Sequence, residues 1–160
     1  MPQVESKFLE SLRTGTTLAD GGIGSLIFQL TGRLASPDFL YEAINLRNPQ
    51  LIKGIYTSSM AAGATVLTTN TFSANETELT VAGAENQVAK INKAAVTIAR
   101  EAIKEHRAEY PDNKNDIFVI GSIGPGGKTV ESYSTQIDSL IENGVDAILL
   151  ETFTDTDRLL

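Results

Sequence analysis

The chain contains no cysteine and a single histidine. Without thiols it cannot build a disulfide, a thiolate nucleophile or a cysteine-based metal site from its own residues. Basic side chains are also scarce: 13 Lys and Arg stand against 20 Asp and Glu, a formal charge of −7 at pH 7. Nucleic acids and anionic membranes capture proteins through clustered basic groups that displace counterions, so neither is expected as a partner. No apolar run approaches the ~20 residues needed to span a bilayer. The N-terminal stretch mixes charges with Phe8, Leu9 and Leu12 at helical spacing, unlike the unbroken apolar core of a secretory signal. The cytoplasm is the expected compartment. What is present, 41% hydrophobic and 21% charged residues in a chain of 160, is the composition of one globular domain with a sizeable core.

Four short apolar segments read as strands: Thr16 to Ala19, Ala64 to Thr69, Ile117 to Gly121 and Asp146 to Leu150. Helical patterns separate them. Asn48-Pro49 is a cap followed by a first-turn proline, after which Leu51, Ile52, Ile55, Tyr56 and Met60 recur at three-to-four spacing until Gly63. A longer helix is predicted over about Asn86 to Arg107, with Val88, Ile91, Ala95, Ile98 and Ala102 on one stripe. Another, about Tyr133 to Asn143, ends at Gly144, and Pro111 to Asp116 reads as a solvated turn. Nearly continuous apolar strands alternating with helices imply an α/β class with a parallel sheet covered by helices.

An internal repeat supports this reading. AGATVLTTNTF (Ala62 to Phe72) and NGVDAILLETF (Asn143 to Phe153) align without a gap. Each copy is a helix-ending glycine, a buried strand, then a polar residue at the strand's carboxyl end: Asn70 in one, Glu151 in the other.

Ligands of parallel α/β folds sit at the carboxyl ends of the strands. The four clusters that follow the proposed strands, Asp20-Gly21-Gly22, Asn70-Thr71, Ser122-Ile123-Gly124-Pro125 and Glu151-Thr152, therefore converge on one face. Two acids, an amide and free backbone N–H groups on a rim suit a zwitterion such as an amino acid, because carboxylates grip ammonium and N–H groups grip carboxylate. Each residue also has a plainer reading. Asp20 before two glycines is commonly a turn residue bonded to its own backbone, Asn70 could cap the next segment, and Glu151 emerges from a buried strand. His106 lies among Lys104, Glu105 and Arg107 and is expected to be solvated, with no role.

The stretch GSIGPGGKT (Gly121 to Thr129) follows a strand and ends in Gly-Lys-Thr. A phosphate-cradling loop requires Gly, four residues, then Gly-Lys-Ser/Thr. Here that first position is Ser122, with Gly121 one place too early, and Pro125 removes an N–H. Nucleotide hydrolysis is thus a minor alternative.

DGGIGS (Asp20 to Ser25), EAINLRNPQLI (Glu42 to Ile52), AGATVLTTNTFSAN (Ala62 to Asn75), GSIGPGGK (Gly121 to Lys128) and GVDAILLETFTD (Gly144 to Asp155) occur in the order seen in the homocysteine S-methyltransferase domain. Over about residues 16–160 the chain resembles that family, and the TNTF version is similar to the methionine synthase branch. The resemblance implies a (β/α)8 barrel. Because such a barrel takes ~250 residues, residues 1–160 are expected to supply its first half: four parallel strands with covering helices, ending within the helix that Asp155 would cap.

The resemblance further implies zinc held by cysteines of later strands, outside this chain, and methyl transfer to the homocysteine thiol, with the donor unspecified. It assigns no catalytic residue or metal ligand to this chain. By it, Asp20 and Glu151 match acids near the substrate amino group, Gly21 and Gly22 a loop beside its carboxylate, and Asn70 and Thr71 the rim of the second strand. The interval from Pro125 to Tyr133 is shorter than the family's usual loop, which would leave the roof of the site incomplete.

A half barrel would expose two strand edges and the inward side chains Val66, Ile120 and Ile148. The chain alone is therefore expected to be inactive, and to pair with a second half-barrel chain or with itself. The competing reading is a non-catalytic assembly or binding module that uses the same surface.

Overall fold

The computed structural model describes residues 6–155. After helix α1 (Lys7–Thr14) the chain forms α2 (Ile23–Thr31), α3 (Ile44–Arg47) and α4 (Pro49–Ala61). Strand β1 (Val66–Thr68) follows, then α5 (Glu76–Val81), a 3-10 turn (Glu85–Gln87) and α6 (Val88–Glu109). Strand β2 (Phe118–Ile123), a second 3-10 turn (Val130–Tyr133), α7 (Ser134–Glu142) and β3 (Ala147–Leu150) complete it. The sheet order is β1-β2-β3 and both pairings are parallel. The class is α/β, as the alternating pattern predicts. Among the described residues no helix is long and apolar enough to cross a membrane.

The first of the four expected strands is reduced to one residue. Ala19 makes a single parallel bridge to Val66, fixed by Asp20 N–H to the Val66 carbonyl at 2.9 Å and Thr65 N–H to the Leu18 carbonyl at 2.8 Å. Thr16 to Leu18 carry no strand assignment. This segment runs at once into Gly21-Gly22, which have no side chain to pack in a ladder, so the strand stops there. The helix that Asp155 would cap lies outside the described residues.

Local chemistry sets the helix ends. The Asn48 side chain accepts from Leu51 N–H, with Pro49 in the first turn of α4. Gly63 and Gly144, matched in the internal repeat, both turn the chain from helix to strand with positive φ, +99° and +88°, a conformation that costs glycine nothing.

Alternation along the strands divides the sheet into two faces. Leu67 and Val119 pack with Ile52, Ile55 and Tyr56 of α4 and Ile98, Ala102 and Ile103 of α6. Beside them Ile123, Val96 and Leu140 form a second helix-facing cluster with Ile148 against it. The opposite face carries Val66, Phe118 and Ile120.

Two expectations about that inner face are corrected. Ile148 belongs to the helix side, because it pairs in register with Gly121 while Ala147 pairs with Ile120. Val66 and Ile120 are buried, since Phe8 of α1 folds over them and meets Phe118 edge-on with centroids 5.3 Å apart. Within the three-stranded sheet the exposed large hydrophobics are on β3, where Leu149 and Leu150 are 39% and 48% accessible. Replacing Phe8 by Ala should uncover this face and lower stability by roughly 2 kcal/mol, below the range for a fully buried ring because Phe8 is only half-buried. Denaturant titration would measure the loss, and binding of a hydrophobic dye should rise with it.

Candidate functional site

The carboxyl ends of the bridge at Ala19 and of the three strands open on one cavity of about 750 Å³. All six residues singled out from the sequence line it: Asp20, Gly21, Gly22, Asn70, Thr71 and Glu151. The polar character of its wall is one-sided. Four lining residues are acidic (Asp20, Glu42, Glu78 and Glu151), and none of the described lining residues is basic.

Asp20 is less a turn residue than a tie between the first segment and β1. Its carboxylate accepts from Thr68 N–H at 2.9 Å and from the Thr68 hydroxyl at 3.0 Å. Burial is the main cause that pushes its pKa up to about 6, and the Glu151 charge adds a little, while the Thr68 bonds act the other way. A folded-state value above the unfolded one means that ionisation favours unfolding. The stability Asp20 contributes is therefore fully present below its unfolded value near 3.8 and is lost as pH rises through about 6.

Glu151 continues the β3 ladder with its N–H to the Ile123 carbonyl at 3.0 Å, and its carboxylate accepts a short hydrogen bond from the Ser122 hydroxyl. The next residue, Thr152, has φ +65°, a left-handed conformation that costs a β-branched residue about 1 kcal/mol or more. Gly22 caps α2 without a side chain, which leaves the first-turn N–H groups of that nine-residue helix for an outside acceptor.

Asn70 and Thr71 hold the rim. Asn70 Nδ2 donates to the Tyr41 carbonyl at 2.7 Å and to Asn45 Oδ1 at 3.0 Å. It caps no helix; Asn75 caps α5. The Thr71 hydroxyl donates to the Ser122 carbonyl at 2.7 Å and meets the Thr69 hydroxyl at 2.6 Å, while its carbonyl accepts from Gln136. Its hydroxyl is therefore committed to structure.

The glycine-rich loop does not present a phosphate cradle. Gly124 N–H donates to the Phe72 carbonyl, Gly127 N–H to the Tyr133 hydroxyl and Lys128 N–H to the Thr77 hydroxyl. A Cβ at Gly124 would overlap the Phe72 ring, and one at Gly127 the Tyr133 ring.

Sequence reasoning missed Glu42 and Glu78 in the wall. Glu42 opens the EAINLRNPQLI segment, far from any strand end. His106 is also corrected: it is 6% exposed and packs against Tyr110, the rings tilted and their centroids 4.8 Å apart. It sits outside the cavity, on the stripe of α6 that carries Ala99, Ala102 and Ile103.

The family model for homocysteine S-methyltransferase matches residues 17–160. The chain belongs to the homocysteine S-methyltransferase family. It is 27% identical over 173 aligned residues to a methionine synthase of Mycobacterium leprae, covering 98% of this chain and 14% of that one. The fold is similar to that of the Escherichia coli homocysteine methyltransferase MmuM. Its metallated form superposes with a TM-score of 0.79 at 23% identity, over 92% of this chain and 58% of that one. The oxidized form gives 0.77 at 22% identity, over 90% and 56%. The chain thus spans just over half of MmuM and about one-seventh of the methionine synthase.

Thr68→Val removes one donor to Asp20 and keeps the side chain's shape. The Asp20 carboxyl should then titrate further above about 6, because a bond that favours the charged form is lost. A carbon-13 NMR pH titration of that carboxyl reads the change.

Proposed function

We propose that this chain is the substrate-orienting half of a homocysteine S-methyltransferase. In this reading the α-ammonium group of homocysteine lies between the carboxylates of Asp20 and Glu151. Its α-carboxylate lies on the backbone N–H groups of Gly21, Gly22 and the uncapped start of α2. Asn70 and Thr71 keep the rim in place and do not take part in the chemistry. The observation that carries the reading is the convergence of two acids and an uncapped helix start on one cavity with no basic lining side chain among the described residues. A zwitterion needs both kinds of partner, and its ammonium end needs the acids.

The resemblance brings zinc with it, but this chain's residues do not fit a thiolate zinc site. The sequence has no cysteine, and among the described residues no group of three or more His, Asp or Glu could hold a metal ion. Thiolate donors to the metal, and the groups that take up the methyl donor, would come from residues outside this sequence. The chain without them is proposed to bind homocysteine and leave it unmethylated.

The outer edge of β3 favours a second element of the proposal. Leu149 and Leu150 stay accessible on a strand whose outer edge has no partner among the described residues, the kind of edge that another strand covers. A second half-barrel chain would extend the sheet in the same parallel sense, and self-pairing would cover the same edge. Light scattering of the purified chain, alone and mixed with a cysteine-bearing half, separates the two.

Calorimetric titration of the full chain with L-homocysteine tests the substrate assignment. Asp20→Asn and Glu151→Gln should each weaken binding by roughly tenfold or more, the scale of a lost charge-assisted hydrogen bond. Affinity should climb with pH through about 6 as Asp20 ionises, and Asp20→Asn should flatten that climb. Binding indifferent to both substitutions would overturn the assignment.

A further inference from the structure

Between β1 and α5 the chain crosses the wall of the cavity with no regular secondary structure. Thr71 is bonded to Ser122 and Gln136, and Phe72 to Gly124; two further contacts fasten the ends of this rim, and both come from the short segment around the start of α3. One is the amide clasp: Asn70 Nδ2 donates to the Tyr41 carbonyl and to Asn45 Oδ1, and Asn45 Nδ2 returns a bond to the Asn70 carbonyl at 2.8 Å. The other is Glu42, whose Oε1 accepts from Ser73 N–H at 2.9 Å. Residues 41, 42 and 45 thus grip residues 70 and 73, and between the two grips lie Thr71 and Phe72, which face the cavity.

We propose that Glu42 is a positioning residue for the substrate cavity, acting through Ser73 to hold the Asn70–Ser73 rim in the shape that a bound amino acid meets. The proposal rests on the homocysteine reading of that cavity. Glu42 is suited to the task by its burial, at 7% exposed, which keeps water from competing for the Ser73 N–H. The clamp needs an acceptor and not a charge. Burial pushes the Glu42 carboxyl above the usual carboxylate range, with the nearby Glu78 of α5 adding to the effect, yet a neutral carboxyl still offers a carbonyl oxygen. Glutamine, which keeps that oxygen, is the conservative replacement; alanine removes it.

The test uses the full chain, at neutral pH and well below its melting temperature, with two readouts: hydrogen exchange at the Ser73 amide and the Kd for L-homocysteine. Glu42→Ala should lower Ser73 protection and weaken binding, each by about tenfold, while the amide spectrum stays that of a folded protein. Glu42→Gln should recover most of both. If the alanine variant does not fold, Glu42→Asp, whose arm is one methylene shorter, should move both readouts in the same direction. A freed Ser73 with unchanged Kd would make the clamp merely structural and overturn the proposal. So would a glutamine variant that binds as weakly as alanine with Ser73 still protected, since the acid would then touch the ligand itself. A wild-type chain that ignores homocysteine overturns the substrate reading and this proposal together; opposite behaviour of the variants alone overturns only the role of Glu42.

Discussion

The parallel ladder that joins β1, β2 and β3 gives the molecule its polarity. With Val66 opposite Phe118 and Ile120 opposite Ala147, every strand runs the same way, so every chain exit lies at the same end. Residues distant in sequence, from Asp20 to Glu151, become neighbours for that reason alone. The same register assigns side chains to faces. A slip of one residue would send Leu67 and Val119 out of the helix-packed core and bring Val66 and Phe118 into it, so core packing and cavity composition are specified by the same hydrogen bonds.

Within that frame, the polar groups of the cavity are shared between architecture and chemistry. Asp20 ties the first segment to β1 through Thr68 and faces the cavity with the same carboxylate. Ser122 bridges β2 to Glu151, and Thr71 binds β1's exit to β2. Removing any one of these groups disturbs a strand junction as well as a lining atom. The donors at these junctions are hydroxyls and amides with no positive charge, so the acids keep their attraction for a cation.

The parts of this arrangement that were readable in the sequence are those set by short-range rules. The Asn48-Pro49 start of α4 follows from capping, and the glycines of the internal repeat mark two helix-to-strand corners with the same backbone conformation. Parallel pairing followed from continuous apolar strands separated by helices. What was misread depends on partners distant in the chain. The first segment makes only one bridge, to Val66, before Gly21-Gly22 end it. The inner face is covered because α1 returns to it, which no local pattern announces. Glu42 reaches the cavity from a segment without a strand end. His106 was misjudged for a different reason: its charged neighbours in sequence outweighed its spacing from Ala99, Ala102 and Ile103, which places it on the buried stripe of α6.

The glycine-rich segment after β2 is a rigid support behind the cavity rim. Its space is already occupied, by the Phe72 ring at Gly124 and by Tyr133 at Gly127, and its amides are tied to Phe72, Tyr133 and Thr77. A segment so filled has no slack with which to swing aside. It backs the Phe72 ring that lines the cavity, so a displacement of either would have to carry the other.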